Sequence, residues 1–206
     1  MVSETNEPQA SLSAEPRPLL ADVAPAPPAI QELADACVRF VERAVGVKLD
    51  YTAETLPLLD HYLASARDAA LARPETVAVI VQTAGAYFGE VIRRRHASFW
   101  RTENVDPADY RIELEQVYLA VTPAELARQA LLGSELEDDA MLELEDDDRD
   151  AVAERLAELP EVTEQEFYAP STRLEVLDIA VEAIQARRLA ADEPERHFGP
   201  EDYDPS

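Results

Sequence analysis

One segment sets acid, base and aromatic groups at helical spacing: A-G-A-Y-F-G-E-V-I-R-R-R-H-A-S-F-W, residues 84–100. Glu90 precedes Arg93 and Arg94 by three and four residues, so a helix brings all three to one flank. Two chemistries are open to Glu90. As a partly buried carboxylate of raised pKa beside Tyr87 and Trp100, it could serve acid–base work. As a surface acid paired with arginine, it adds a few tenths of a kcal/mol to the helix. The spacing favours the ion pair, and Arg93, Arg94, Arg95 and His96 suit the negative end of a helix dipole. Tyr87, Glu90, Arg94, Arg95 and Trp100 are the candidate binding residues. Arg95 falls on the apolar side, so the helix ends before it, or it snorkels, or it meets a carboxylate such as Asp50 or Asp60.

Other chemistries lack their residues. His61, His96 and His197 are isolated, and a second cysteine is missing, so no zinc spacing arises. There is no glycine-rich phosphate loop and no G-x-S-x-G elbow. The acidic run has neither the glycine nor the alternating ligands of a calcium loop. No cofactor or metal is expected. Cys37 shares an apolar helical pattern with Leu33, Phe40 and Val41 and reads as a buried, inert thiol.

The candidate residues need a scaffold. Residues 75–100 are apolar nearly all round up to Gly89, which predicts a buried central helix running to about Trp100. Gly85 and Gly89 stand four apart in its interior, where each costs about 1 kcal/mol relative to alanine. Close approach of a neighbouring backbone is the expected return, and a ligand filling the notch is the alternative. Flanking helices are predicted from Ile30 to a cap at Gly46 and from Thr52 or Thr55 through Leu56, Leu59 and Leu63. Tyr110, Ile112 and Leu114 alternate with charged residues, and the parity shifts at Glu115-Gln116, which predicts one bulged strand. Thr122-Pro123-Ala124-Glu125 opens a short helix ending at Gly133. Later helical patterns lie near 150–159 and 172–190, the second with a capping box at Thr172 and Glu175. The fold class is α+β, predominantly helical. The organisation is a disordered proline-rich arm (1–29), a compact core (30–133), an acidic loop (134–150), C-terminal helices on the core (151–191) and a polar tail (192–206).

L-D-Y-T-A-E-T-L-P-L-L-D-H-Y-L, then G-A-Y-F-G-E-V and a tryptophan, resembles a loose group of bacterial domains with a leucine-aspartate-aromatic, then GAYxGE order. The resemblance covers about residues 30–133. It implies one compact α+β unit there and assigns no reaction.

Forty-three acids face 18 bases, a net charge of −25, which disfavours nucleic acid and anionic membranes as partners. The imbalance is greatest after Gly133, where residues 134–206 carry −18. Glu137, Asp138, Asp139, Asp146, Asp147 and Asp148 form the candidate acidic surface. No basic leader with an apolar run opens the chain, and no apolar stretch reaches membrane-spanning length, so a cytoplasmic protein is expected. The expected function is non-catalytic: binding another protein of basic character, in the manner of an immunity protein, an inhibitor or a chaperone. The alternative is a small enzyme or ligand-binding domain with its site near Tyr87, Glu90 and Trp100.

Overall fold

The computed structural model describes residues 23–133 and 142–204. The fold is α+β and predominantly helical. Helix α1 (Pro28–Val45) buries Ile30, Ala34, Cys37, Val38 and Val41, the i, i+4, i+7 stripe of an amphipathic helix. It opens on a proline, whose missing N–H is no loss there, and ends at Gly46 with φ 81°, donating from its N–H to the Glu42 carbonyl. The proline-rich arm therefore stops short of Pro28, and residues 1–22 lie outside the described residues. Cys37 is fully buried in α1, and desolvation pushes its thiol up to about 12, which keeps it protonated and inert.

Helix α2 (Leu56–Ala72) follows a short 3-10 turn at Ala53–Thr55, and α3 (Pro74–Arg95) is the hub. Every residue of α3 from Thr83 to Arg93 is buried, with α1 and α4 packed closest against it. Its first two turns protrude, leaving Val79 half exposed, so the helix is less enclosed at its start than its apolar composition predicts. It also ends earlier than expected. His96 has extended backbone, and Trp100 belongs to strand β1 (Ser98–Arg101).

The remaining strands are β2 (Arg111–Leu114), β3 (Leu119–Val121) and β4 (Glu143–Leu144), in an antiparallel meander of order β1-β2-β3-β4. The expected single bulged strand is thus a hairpin. Residues 115–118 reverse the chain, and this reversal produces the parity change in the apolar pattern. Trp100 faces Ile112 and Ile112 faces Val121 on the inner side, while Phe99, Glu113 and Ala120 share the outer side. Helix α4 (Pro123–Leu132) ends at Gly133, φ 69°. Then come α5 (Asp146–Ala157), the single turn α6 (Glu164–Phe167) and α7 (Pro170–Ala190). Helix α7 opens two residues before the predicted Thr172 box, with Pro170 in its first turn. The acidic loop is also shorter than expected, because α5 begins at Asp146.

The polar tail is a strap. Phe198 and Tyr203 are buried against Phe99, Tyr118 and Ala120 on the outer face of the sheet. The Tyr203 hydroxyl donates to the Leu114 carbonyl at 2.7 Å and accepts from the Leu119 N–H at 3.0 Å, clamping both ends of the β2–β3 turn. This cover explains Glu113. Alternation assigns it to solvent, yet it is fully buried beneath the strap and receives Arg101 Nε at 2.8 Å. Arg101 also donates to Asp204 and to the Pro200 carbonyl, so one guanidinium ties sheet and strap together.

Candidate functional site

Tyr87, Glu90 and Trp100 do meet, but as a packed knot. Glu90 is 2% exposed and accepts from Arg93 Nε at 2.9 Å and Trp100 Nε1 at 2.8 Å. The expected surface ion pair is therefore a buried one. Arg93 spends a further N–H on the Ala24 carbonyl at 2.7 Å, so both charges keep hydrogen-bond partners inside the fold. Gly89 makes room for the indole. A Cβ there would come within 2.2 Å of Trp100 Cη2. Gly85 does the same for a backbone, since its Cβ would lie 2.4 Å from Ala124 Cα at the start of α4. The two glycines thus seat different neighbours, one a main chain and the other an aromatic ring.

Tyr87 is fully buried. Its hydroxyl accepts the Tyr51 N–H at 2.9 Å and lies 3.1 Å from the Thr55 hydroxyl. Desolvation raises its pKa to about 12 and leaves it a neutral phenol. Tyr51 has φ 66°, a strained value for a residue with a side chain, and its N–H and ring are both held by Tyr87. Arg94 also lies over the Tyr51 ring, 4.3 Å from its centroid. Asp50 meanwhile accepts from the Thr52 N–H at 3.0 Å and from the Thr52 and Thr55 hydroxyls. The L-D-Y and G-A-Y-F-G-E segments are therefore joined in space, the first as the turn that the second helix grips. These residues fill one another's space, so substrate chemistry at this knot is not supported.

Arg95 meets neither Asp50 nor Asp60. It pairs with Asp178 of α7 through Nε at 2.7 Å and Nη2 at 2.5 Å, and His96 Nε2 donates to the same carboxylate at 2.8 Å. Burial pushes the Asp178 pKa up, but the hydrogen bonds and charges of His96 and Arg95 more than offset it and hold the carboxyl below its ordinary value. A lowered folded-state pKa contributes stability that is complete above the unfolded value and lost as pH falls through the folded one. Wild-type stability is accordingly expected to decline below about pH 4. Asp178→Asn should be less stable at neutral pH and should lose part of that acid limb, as measured by thermal melting across pH 2–7. Parallel pH curves for the two proteins would show that the pair does not couple to folding.

The acidic surface is only partly as expected. Glu137, Asp138 and Asp139 lie outside the described residues. Asp146 and Asp147 are exposed in the first turn of α5, where carboxylates suit the positive end of the helix dipole. Asp148 is fully buried and is bound by Arg187 Nε at 2.5 Å and Arg188 Nη2 at 3.1 Å. It belongs to the α5–α7 joint and is withdrawn from the surface set.

A cavity of about 580 Å3 lies elsewhere, between α2, α6 and the start of α7. Asp60, Ala64 and Arg67 line it from one face of α2, at i, i+4 and i+7. Ser171 and Thr172 enter from α7, and Gln165 and Glu166 from α6. Asp60 accepts from the Ser171 hydroxyl at 2.5 Å and from the Ser171 N–H at 3.2 Å, serving as a borrowed cap for α7. Burial raises its pKa, with the Ser171 hydrogen bonds acting the other way and the charge of Glu175 adding to the rise. Arg67 donates from Nε to the Leu131 carbonyl at 2.9 Å and from Nη2 to the Ala130 carbonyl at 3.2 Å, closing the end of α4. The i, i+4, i+7 set was visible in the chain; the approach of α7 to it was not. Among the described residues no group of three histidine, cysteine or acidic side chains is arranged to hold a metal, and no helix is long and apolar enough to cross a membrane.

Comparison with protein-family models, with curated proteins and with solved structures finds no match to this chain.

Proposed function

We propose that the protein works without catalysis, by binding another protein of basic character through an acidic face centred on α5, in the manner of an immunity protein, an inhibitor or a chaperone. The observation that carries this reading is the surplus of unpaired acid in the C-terminal third. Arg149 and Arg155 of α5 are exposed but each is taken up by a neighbouring acid, Asp146 and Glu158, and three further cations sit at the α5–α7 joint. Arg187 holds Asp148 and Glu193, Arg188 holds Asp148 and Glu145, and Arg196 holds Glu145. The acids left over point outward: Asp147, Asp150 and Glu154 of α5 are exposed and enter no ion pair among the described residues. In sequence this face adjoins Glu135, Glu137, Asp138 and Asp139. A net negative field of this kind speeds encounter with a cationic partner and repels anionic ones.

The test neutralises Glu137, Asp138, Asp139, Asp147, Asp150 and Glu154 together and leaves Asp148 intact. A partner is first captured from the native host at low salt, and association is then followed by stopped flow. The variant should associate about tenfold more slowly at low salt, with a smaller change in dissociation. Salt should slow the wild type more than the variant, since the screening length is about 8 Å at physiological ionic strength. Equal association rates at low salt would sink the reading.

A further inference from the structure

We infer that the α2–α7 cleft is a binding site for a short linear zwitterion of tripeptide length, its ammonium group at Asp60 and its carboxylate at Arg67. The argument begins with how this protein treats its other interior acids. Glu90, Glu113, Asp148 and Asp178 each have an arginine on them. Asp60 is half-buried and faces only a hydroxyl and an N–H, both from Ser171, with no cation among the described residues. A carboxylate offers about four acceptor positions, so room remains for an ammonium donor. Arg67 is the converse. Its guanidinium donates to two backbone carbonyls, and among the described residues no carboxylate pairs with it, in a chain with a large excess of acid.

These two unneutralised charges line the same cavity. Their Cα atoms lie about 10 Å apart along the α2 axis, and among the described residues the two side chains form no ion pair with each other. A ligand carrying opposite charges at its two ends would satisfy both. An extended tripeptide spans about 10 Å between its terminal groups. Three of the lining side chains are small, Ala64 on α2, Ala130 on α4 and Ala169 before α7, while Gln165 and Glu166 line the α6 wall. This leaves a trough for the peptide's middle, and the 580 Å3 volume accommodates it. The Thr172 hydroxyl and the Gln165 amide at the wall supply partners for its peptide groups, while the Thr163 hydroxyl is held in the α6 capping box with Glu166. The site is separate from the acidic face of α5 and does not depend on it.

The test titrates the full-length protein with trialanine, N-acetyl-trialanine, trialanine amide and dialanine, using calorimetry and amide chemical shifts. Trialanine should bind saturably and shift the amides of Ala64, Arg67, Ser171 and Thr172. Blocking either terminus should weaken binding about tenfold, the scale of one charge-assisted contact, and dialanine should be weakened similarly because it reaches only one pole. Asp60→Asn should abolish discrimination against the acetylated peptide, and Arg67→Gln against the amidated one. If either variant fails to fold, the peptide series on the wild type still decides. The α5 charge variant should bind trialanine as the wild type does, which separates this result from the fate of the acidic-face reading. No saturable binding up to about 10 mM would overturn the inference. So would blocked peptides binding as tightly as trialanine, or discrimination at one terminus only.

Discussion

Glu90→Ala is expected to destabilise the protein by about 3–5 kcal/mol, because it strands a charged Arg93 in the interior. Arg93 is 6% exposed, and among the described residues Glu90 is its only carboxylate partner. The same substitution removes the acceptor of the N–H of Trp100, whose ring packs from β1 against α3 and cannot turn to water without leaving its seat over Gly89. Glu90→Gln should fall between wild type and alanine, since an amide oxygen can still accept from Trp100 but does not neutralise Arg93. Replacing both members, Glu90→Met with Arg93→Met, should recover much of the loss, as paired hydrophobic replacements of buried ion pairs often do. Urea unfolding of the four proteins measures these differences. A cost below about 1 kcal/mol for Glu90→Ala would mean that water reaches Arg93 and that the pair behaves as a surface one.

Gly85→Leu should cost about 3 kcal/mol or more, and Gly85→Ala a smaller but clear amount. Alanine is the better helix former by about 1 kcal/mol, so a site with free space would gain from the change. Here the new Cβ would lie 2.4 Å from Ala124 Cα and 2.6 Å from its nitrogen, and neither atom can rotate away. Either α3 and α4 separate, losing contacts along their whole interface, or the helices distort. Gly89 offers the control, because its obstacle is a side chain. Trp100→Leu should relieve much of the clash of Gly89→Ala, whereas trimming Ala124 to glycine should relieve little at Gly85, where the main chain remains. Thermal melting of the single and double variants separates the two cases. A neutral or stabilising Gly85→Ala would remove the close-packing account of this helix pair.

Much of the fold follows from local pattern. The stripe of Ile30, Cys37 and Val41, the αL glycines at 46 and 133, and the proline openings of α1, α3 and α4 each act within a few residues, so the chain alone determines them. The unbroken apolar run around Val81–Gly89 likewise requires neighbours on all sides. The small residues at 85 and 89 announce close approach but not what approaches, because backbone and indole leave the same signature on α3. The acids show the limit more sharply. Glu90, Glu113 and Asp148 look like surface residues in sequence, each beside charged neighbours or in polar alternation. Burial came to them from distant segments: Trp100 and residue 24 over Glu90, the 193–204 strap over Glu113, α7 over Asp148. Whether a carboxylate is solvated or desolvated depends on what covers it, and coverage is a sum over contacts from segments remote in sequence. The same holds for the cleft at Asp60 and Arg67. Their i, i+7 spacing was legible in α2, but only the docking of α7 turned that helix face into the wall of a cavity.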